Sequence, residues 1–150
     1  MQLKKYTDYG LRVLMYLASK HQPRASEPPR SLTTIREICE AFELSANHVN
    51  KVVHHLGRLQ LIHTQRGKFG GFELAQIPAT IRLDKVIRQL EGDEYWIDCK
   101  TPLCRVFPSC ELKHIVNAGK ETFYRHLSQY TLADLITPDI QAELTITTLT

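Results

Sequence analysis

Apolar positions along most of this chain recur at helical spacing. In TDYGLRVLMYLASK, residues 7–20, Leu11, Leu14, Met15, Leu17 and Ala18 share one broad face and predict a first helix. Thr7 is its expected cap, and Asp8 falls in the first turn, where negative charge is favoured. Gly10 weakens the pattern. In TTIREICEAF, residues 33–42, Ile35, Ile38, Cys39 and Phe42 stand at i, i+3, i+4 and i+7, with Thr34 and Glu37 at capping-box spacing. Cys39 is then a small apolar member of that stripe. SANHVNKVVHHLGRLQL, residues 45–61, predicts a third helix capped by Ser45. Val49, Val52, Val53 and Leu56 point inward, and Asn47, Lys51, His54 and Arg58 lie on the opposite side.

The period then shortens. LIHTQ, RGKFGG and FELAQ read as a β-hairpin with Arg66 and Lys68 at its tip. Helical spacing returns in TIRLDKVIRQLEGD, which Gly92 ends. A long amphipathic helix is expected from Ser109 to about Gln129, with a stripe of Leu112, Ile115, Val116, Gly119, Phe123 and Leu127. TLADLI reads as a last short helical turn. The proline-rich HQPRASEPPRS, residues 21–31, is a loop, and the tail QAELTITTLT fits no element.

Charge sharpens this outline. Residues 1–75 carry 11 Lys/Arg against 6 Asp/Glu, and residues 76–150 carry 8 against 10. Four of the seven histidines fall between 48 and 63. A basic half joined to a mildly acidic one implies a polyanion partner for the first. No apolar run is long enough to span a bilayer, and MQLKKYTDYG lacks the apolar core of a secretory signal, so no membrane partner and a cytoplasmic location are expected.

Two short helices, a tight turn between them and a basic hairpin make a winged helix-turn-helix, so the expected fold is mainly α with a DNA-binding head. The second helix of the pair would enter the major groove of double-stranded DNA. There Asn47, Asn50 and His54 can exchange hydrogen bonds with base edges, Lys51 and Arg58 can contact guanine or phosphate, and Ser45 and His48 are counted with the DNA-binding residues. Arg66 and Lys68 add charge at the hairpin tip, where Gly70 lets the backbone lie close to the duplex. No phosphate-binding glycine loop, nucleophile elbow or nucleophile–base pair is present, so catalysis is not expected.

DCKTPLCRVFPSC, residues 98–110, holds Cys99, Cys104 and Cys110. In a protein without export features, clustered cysteines are more often metal or redox groups than disulfides. Thiolates select zinc or iron–sulfur clusters. Zinc sites use closer pairs and four ligands, so C-x4-C-x5-C suits a bulkier cluster. Cys110 begins the long helix, whose dipole favours a thiolate, and Pro102 and Pro108 stiffen the loop. The segment lacks a fourth ligand. Asp98, Glu111 and His114 are local candidates, and three metal-free thiols remain an open alternative.

YTDYGLRVLMYLA at 6–18, SANHVNKVVHHLGRLQLI at 45–62, RGKFGGF at 66–72, the three-cysteine loop, CELK at 110–113 and YTLADLI at 130–136 together resemble one family. They are similar to the bacterial iron–sulfur winged-helix repressors that include IscR and NsrR, over nearly the whole chain to about residue 137. Lys113 stands where IscR-type members have histidine, and Asp8 matches the aspartate of the nitric-oxide-sensing, NsrR-type branch. The first cysteine spacing is one residue shorter than in that branch. The resemblance implies a homodimeric repressor whose long C-terminal helix pairs two subunits. It also implies a cluster, [4Fe–4S] by this likeness, held by Cys99, Cys104, Cys110 and Asp8 of the partner subunit, with nitric oxide as effector. The expected division is a reading domain at 1–80, a cluster loop and dimerisation helix at 81–137, and a tail at 138–150. Alternatives are an iron- or redox-sensing [2Fe–2S] regulator of the same family, and a cluster-free thiol or zinc winged-helix protein.

Overall fold

The computed structural model describes residues 2–21, 32–107 and 109–146. The greater part of the proline-rich loop therefore lies outside the described residues, as do the last four residues.

The first helix, α1 (Lys5–Ser19), is the centre of the structure. Val13, Leu14, Tyr16 and Leu17 are all but inaccessible to solvent, and Thr7, Gly10 and Ala18 are buried with them. Helices α2 (Ile35–Phe42) and α3 (Ala46–Arg58) pack against α1. So do α4 (Leu83–Glu91), a 3-10 turn at Leu132–Leu135 and α6 (Pro138–Ile146). A helix covered from so many directions needs apolar residues beyond one stripe, which is why its sequence face is so broad. Each fully buried leucine or valine contributes about 2 kcal/mol.

Local signals account for most boundaries. Thr34 and Glu37 form the expected capping box: the Thr34 hydroxyl accepts from the Glu37 N–H, and the Glu37 carboxylate accepts from the Thr34 N–H at 2.6 Å. Glu43 ends α2 in the left-handed region, at φ 52°, turning the chain sharply into α3. The four inward residues assigned to α3, Val49, Val52, Val53 and Leu56, are buried. Strands β1 (Ile62–Gln65) and β2 (Gly71–Leu74) pair antiparallel, Ile62 opposite Leu74 and Gln65 opposite Gly71. Thr33 and Phe72 exchange two backbone hydrogen bonds at 3.0 and 2.8 Å, which fix the hairpin root to the segment before α2. Gly92, at φ 86°, stops α4.

Several expectations change. Thr7 does not cap α1. The helix begins two residues earlier, and the Thr7 hydroxyl is buried inside it without a hydrogen-bond partner. Gly10 is a close-packed position, where a Cβ would stand 2.7 Å from Leu90 Cδ1 of α4 and the leucine tip would have to shift. Residues assigned to a tail form α6, whose Gln141 amide donates to the Ser19 carbonyl at 2.7 Å. One apolar core also runs across residue 80, joining Leu14, Val52 and Phe72 to Ile81, Val86, Leu90 and Leu132.

Helix α5 (Glu111–Leu127) sits differently from its sequence stripe. Leu112 and Ile115 are 58% and 66% exposed, and the buried positions are Lys120 and Tyr124. The Lys120 ammonium is enclosed and donates to the Asp93 carbonyl, the Asp93 carboxylate and the Glu94 carbonyl at 2.7–3.0 Å. Arg88 adds a bidentate pair to Glu121 and lies 4.0 Å from the centre of the Tyr124 ring. Satisfied polar groups, together with Phe123 of the stripe against Trp96, thus join α5 to α4 and to the start of the cysteine loop.

Candidate nucleic-acid interface and thiol loop

The outward side of α3 is built by its own amphipathic spacing. With Val49, Val52, Val53 and Leu56 anchored, Asn47, His48, Asn50, Lys51, His54 and Arg58 are all exposed. Ser45 holds the N-cap position, but its hydroxyl meets His48 Nδ1 at 2.8 Å rather than a backbone N–H. The Asn50 amide donates to the Ala46 carbonyl one turn back, at 2.9 Å. Arg66 and Lys68 are exposed at the hairpin tip, and Gly70 is half-buried just behind it. A Cβ at Gly70 would lie 2.4 Å from the Gln65 carbonyl oxygen, so the tip closes only with glycine there. The structure therefore brings the polar helix face and the basic tip into one rigid body through the α3–β1 and β1–β2 packing. Such an arrangement can engage a duplex groove and its phosphates together.

Sequence reasoning missed how firmly α1 holds this helix. The Tyr6 hydroxyl donates to the Lys51 carbonyl at 3.2 Å and meets His55 Nδ1 at 3.0 Å. Tyr9 stacks on His48, with ring centroids 5.9 Å apart. Burial holds the Tyr6 hydroxyl above its usual pKa, with the Arg58 charge acting the other way. Tyr6 and Tyr9 are one helical turn apart, and that i, i+3 spacing was the available signal.

Asp8 lies between these two tyrosines. Its carboxylate pairs with Arg12 one turn along, at 2.9 Å, and is about half exposed. Within the subunit, Asp8 is not gathered with the cysteines. Among the described residues no three His, Cys, Asp or Glu side chains converge on a metal-sized site.

The cysteine loop itself is ordered by backbone contacts. The Cys104 N–H donates to the Cys99 carbonyl, the Phe107 N–H to the Cys104 carbonyl, and Lys100 bridges Leu103. Asp98, a candidate ligand, instead accepts from the backbone N–H groups of Lys100 and Thr101. Glu111 lies in the first turn of α5, and His114 is exposed. Cys99 is buried, Cys104 and Cys110 are half-buried, Cys110 is the N-cap residue of α5, and all three are free thiols. Lys113 lies over the Tyr95 and Phe107 rings at 4.4 and 4.8 Å. Three unbridged thiols on one loop are the right donors for an iron–sulfur cluster in kind. Among the described residues of one subunit the three thiols do not converge on one site. Cys39 stays apart on α2, packed against the core, with burial first and Glu40 second raising its thiol pKa.

Comparison with known proteins agrees with this geometry. Residues 3–138 match the Rrf2 family, described as iron-dependent transcriptional regulator. The HTH-type transcriptional regulator NsrR of Oceanobacillus iheyensis is 41% identical over 139 residues, covering 91% of this chain and 90% of the relative. The protein of the same name from Bacillus subtilis is 38% identical over 139 residues, with 91% and 90% covered. The solved structure of CymR, the global cysteine regulator of B. subtilis, superposes with a TM-score of 0.63 at 27% identity over 90% of this chain and 95% of that one. These relatives are regulators and not enzymes, and no helix among the described residues is long and apolar enough to cross a membrane. A winged helix-turn-helix with a polar recognition face, matched over almost its whole length, makes this chain a DNA-binding transcriptional repressor of the Rrf2 family.

Proposed function

We propose that this repressor binds its operator as a homodimer and that an iron–sulfur cluster reacting with nitric oxide sets its affinity. The observation that carries the proposal is the position of Asp8, on the turn of α1 whose Tyr6 and Tyr9 grip the recognition helix at His55 and His48. A ligand drawn to or released from Asp8 would act on that turn directly.

Residues 1–80 read DNA. α3 lies in the major groove, where Asn47, Asn50 and His54 address base edges and Lys51 a phosphate or guanine. Ser45 and His48 work as a linked pair at the helix N-terminus. Arg66, Lys68 and Gly70 engage the neighbouring backbone. Residues 81–137 carry the sensor and the dimer contact. The unpartnered stripe of α5, led by Leu112 and Ile115, is the face that pairs with a second copy. Pairing sets two recognition helices about one helical turn of DNA apart.

Cys99, Cys104 and Cys110 would hold the cluster, with Asp8 of the partner subunit as fourth ligand. The NsrR name of the relatives and the single missing ligand favour [4Fe–4S]. Bound, it would supply iron with which nitric oxide reacts. A carboxylate is a hard ligand among soft ones and the weakest member of such a set. Without the cluster Asp8 pairs with Arg12 in its own helix, the arrangement in which Tyr6 and Tyr9 hold α3, and a cluster that drew Asp8 away would alter that hold. The chain would work in the cytoplasm, where free thiols persist.

Iron and sulfide assays on anaerobically purified protein test the sensor, together with the operator affinity of Asp8→Ala. Cluster content retained while affinity no longer responds to nitric oxide supports the Asp8 role. Protein with neither iron nor sulfide after reconstitution excludes the cluster. It would favour a cluster-free thiol regulator, the reading to which the ungathered cysteines of the single subunit correspond.

A further inference from the structure

The hairpin between β1 and β2 ends in a feature that charge alone does not explain. Phe69, at the tip, is 84% exposed, whereas Phe72, three residues on in the same hairpin, is 3% exposed. A phenylalanine left in water at the end of a rigid arm has no role in the core. The arm cannot fold back to cover it. Gly70 donates its N–H to the Gly67 carbonyl at 2.9 Å, Gly67 holds φ 112°, and Gly70 and Gly71 have no room for a Cβ. The hairpin root is pinned by the Thr33–Phe72 pair. The ring is therefore projected, not loosely placed.

Its neighbours identify the partner's chemistry. Arg66 and Lys68 are exposed beside it, and the Lys68 ammonium stands 5.8 Å from the ring centre. An apolar ring framed by two cations fits a surface with phosphates outside and stackable apolar faces within, which is a nucleic acid groove. Protein wedges of this type, phenylalanine among them, enter the minor groove, part a base step and kink the duplex. Flexible pyrimidine–purine steps yield most easily.

We propose that Phe69 is a wedge that inserts at a base step of the minor groove beside the major groove occupied by α3, kinking the operator away from the wing. This rests on the DNA-binding reading and adds a specificity element to it: operators would be selected for a deformable step where the wing lands, without hydrogen bonds to its bases.

The test uses the full chain and the duplex it enriches from random-sequence 30-base-pair DNA. End-to-end fluorescence energy transfer reads the bend, and 2-aminopurine placed at candidate steps reads unstacking. Wild type should bend the duplex and brighten one step. Phe69→Ala should abolish both and weaken binding about tenfold, with the salt dependence of affinity unchanged. Phe69→Leu should keep most of the bend, and Lys68→Ala should keep it while lowering the salt slope by about one. A duplex bent and unstacked equally by Phe69→Ala would overturn the wedge. So would a wild-type complex that is tight but straight, which leaves the DNA-binding reading intact. No enrichment of any duplex by wild type would remove that reading, and the wedge with it.

Discussion

The Tyr6 hydroxyl lies 3.0 Å from His55 Nδ1 and donates to the Lys51 carbonyl, so the first turn of α1 is bonded to the middle of α3. Tyr6→Phe removes both contacts and keeps the ring that stacks on His55 at 5.7 Å. Urea unfolding should show a loss of about 1 kcal/mol, the net worth of such hydrogen bonds. The larger effect is expected on regulation, where operator affinity should differ less between cluster-loaded and cluster-free protein than in wild type. Unchanged regulation would mean that α1 acts on α3 through packing alone.

A glycine close to backbone should tolerate substitution less than one close to a side chain. At Gly71 a Cβ would meet the Thr33 carbonyl oxygen at 2.5 Å, and at Gly10 it would meet only the tip of Leu90. Gly71→Ala should therefore cost about 2 kcal/mol by forcing the hairpin off Thr33. Gly10→Ala should cost less, because Leu90 can change rotamer and alanine favours the helix. Chemical denaturation of the two variants checks the order.

Acid should weaken the helix-turn-helix through Glu37. Burial pushes its carboxyl up, but hydrogen bonds from Lys20 and from the Thr34 N–H and hydroxyl outweigh it and hold the pKa below the ordinary value. A depressed carboxylate contributes stability above its unfolded pKa, about 4.3, and loses it as pH falls through the folded value. Stability should thus drop as pH falls from about 5 to 3, and Glu37→Gln should flatten that limb while lowering the plateau at neutral pH. Thermal melts across this range measure both.

Lys120 carries a prediction about the segment that leads into the cysteine loop. Its ammonium bonds the Asp93 and Glu94 segment that leads into the cysteine loop. Lys120→Met fills the volume but leaves two carbonyls without their donor, a loss of about 2 kcal/mol. Because Cys99 is 7% exposed in the intact loop, its alkylation rate should rise in the variant more than that of Cys39 on distant α2. Equal acceleration at both cysteines would indicate global rather than local loosening.

How far the residues themselves disclose this molecule depends on how local each signal is. The α2 capping box, the inward valines of α3 and the Gly92 stop depend on neighbours within one turn, and all appear where the spacing puts them. Thr7 misled because a threonine before an apolar run looks like a cap, while Lys5 and Tyr6 extend the helix once α3 packs on it. α6 was hidden because its residues are weakly patterned and its order comes from α1, by way of Ser19 and the core contact of Leu144. Lys120 gave no hint of burial, since a lysine reads as surface until its three oxygen partners are known. The exposed residues of α3 proposed to face DNA were legible as the polar side of an amphipathic helix. The tyrosine grip behind them was not, because it joins residues 49 positions apart.

The central claim is that the state of the thiol site controls operator binding. Its most direct test is one titration of anaerobically purified protein on its enriched duplex with a nitric oxide donor, following visible absorption and DNA binding together. Wild type should be coloured and should lose its absorption and release DNA in parallel, whereas Asp8→Ala should be bleached and keep its DNA bound. Binding that persists while the colour is bleached, or a colourless protein that binds and releases DNA regardless of nitric oxide, would contradict it.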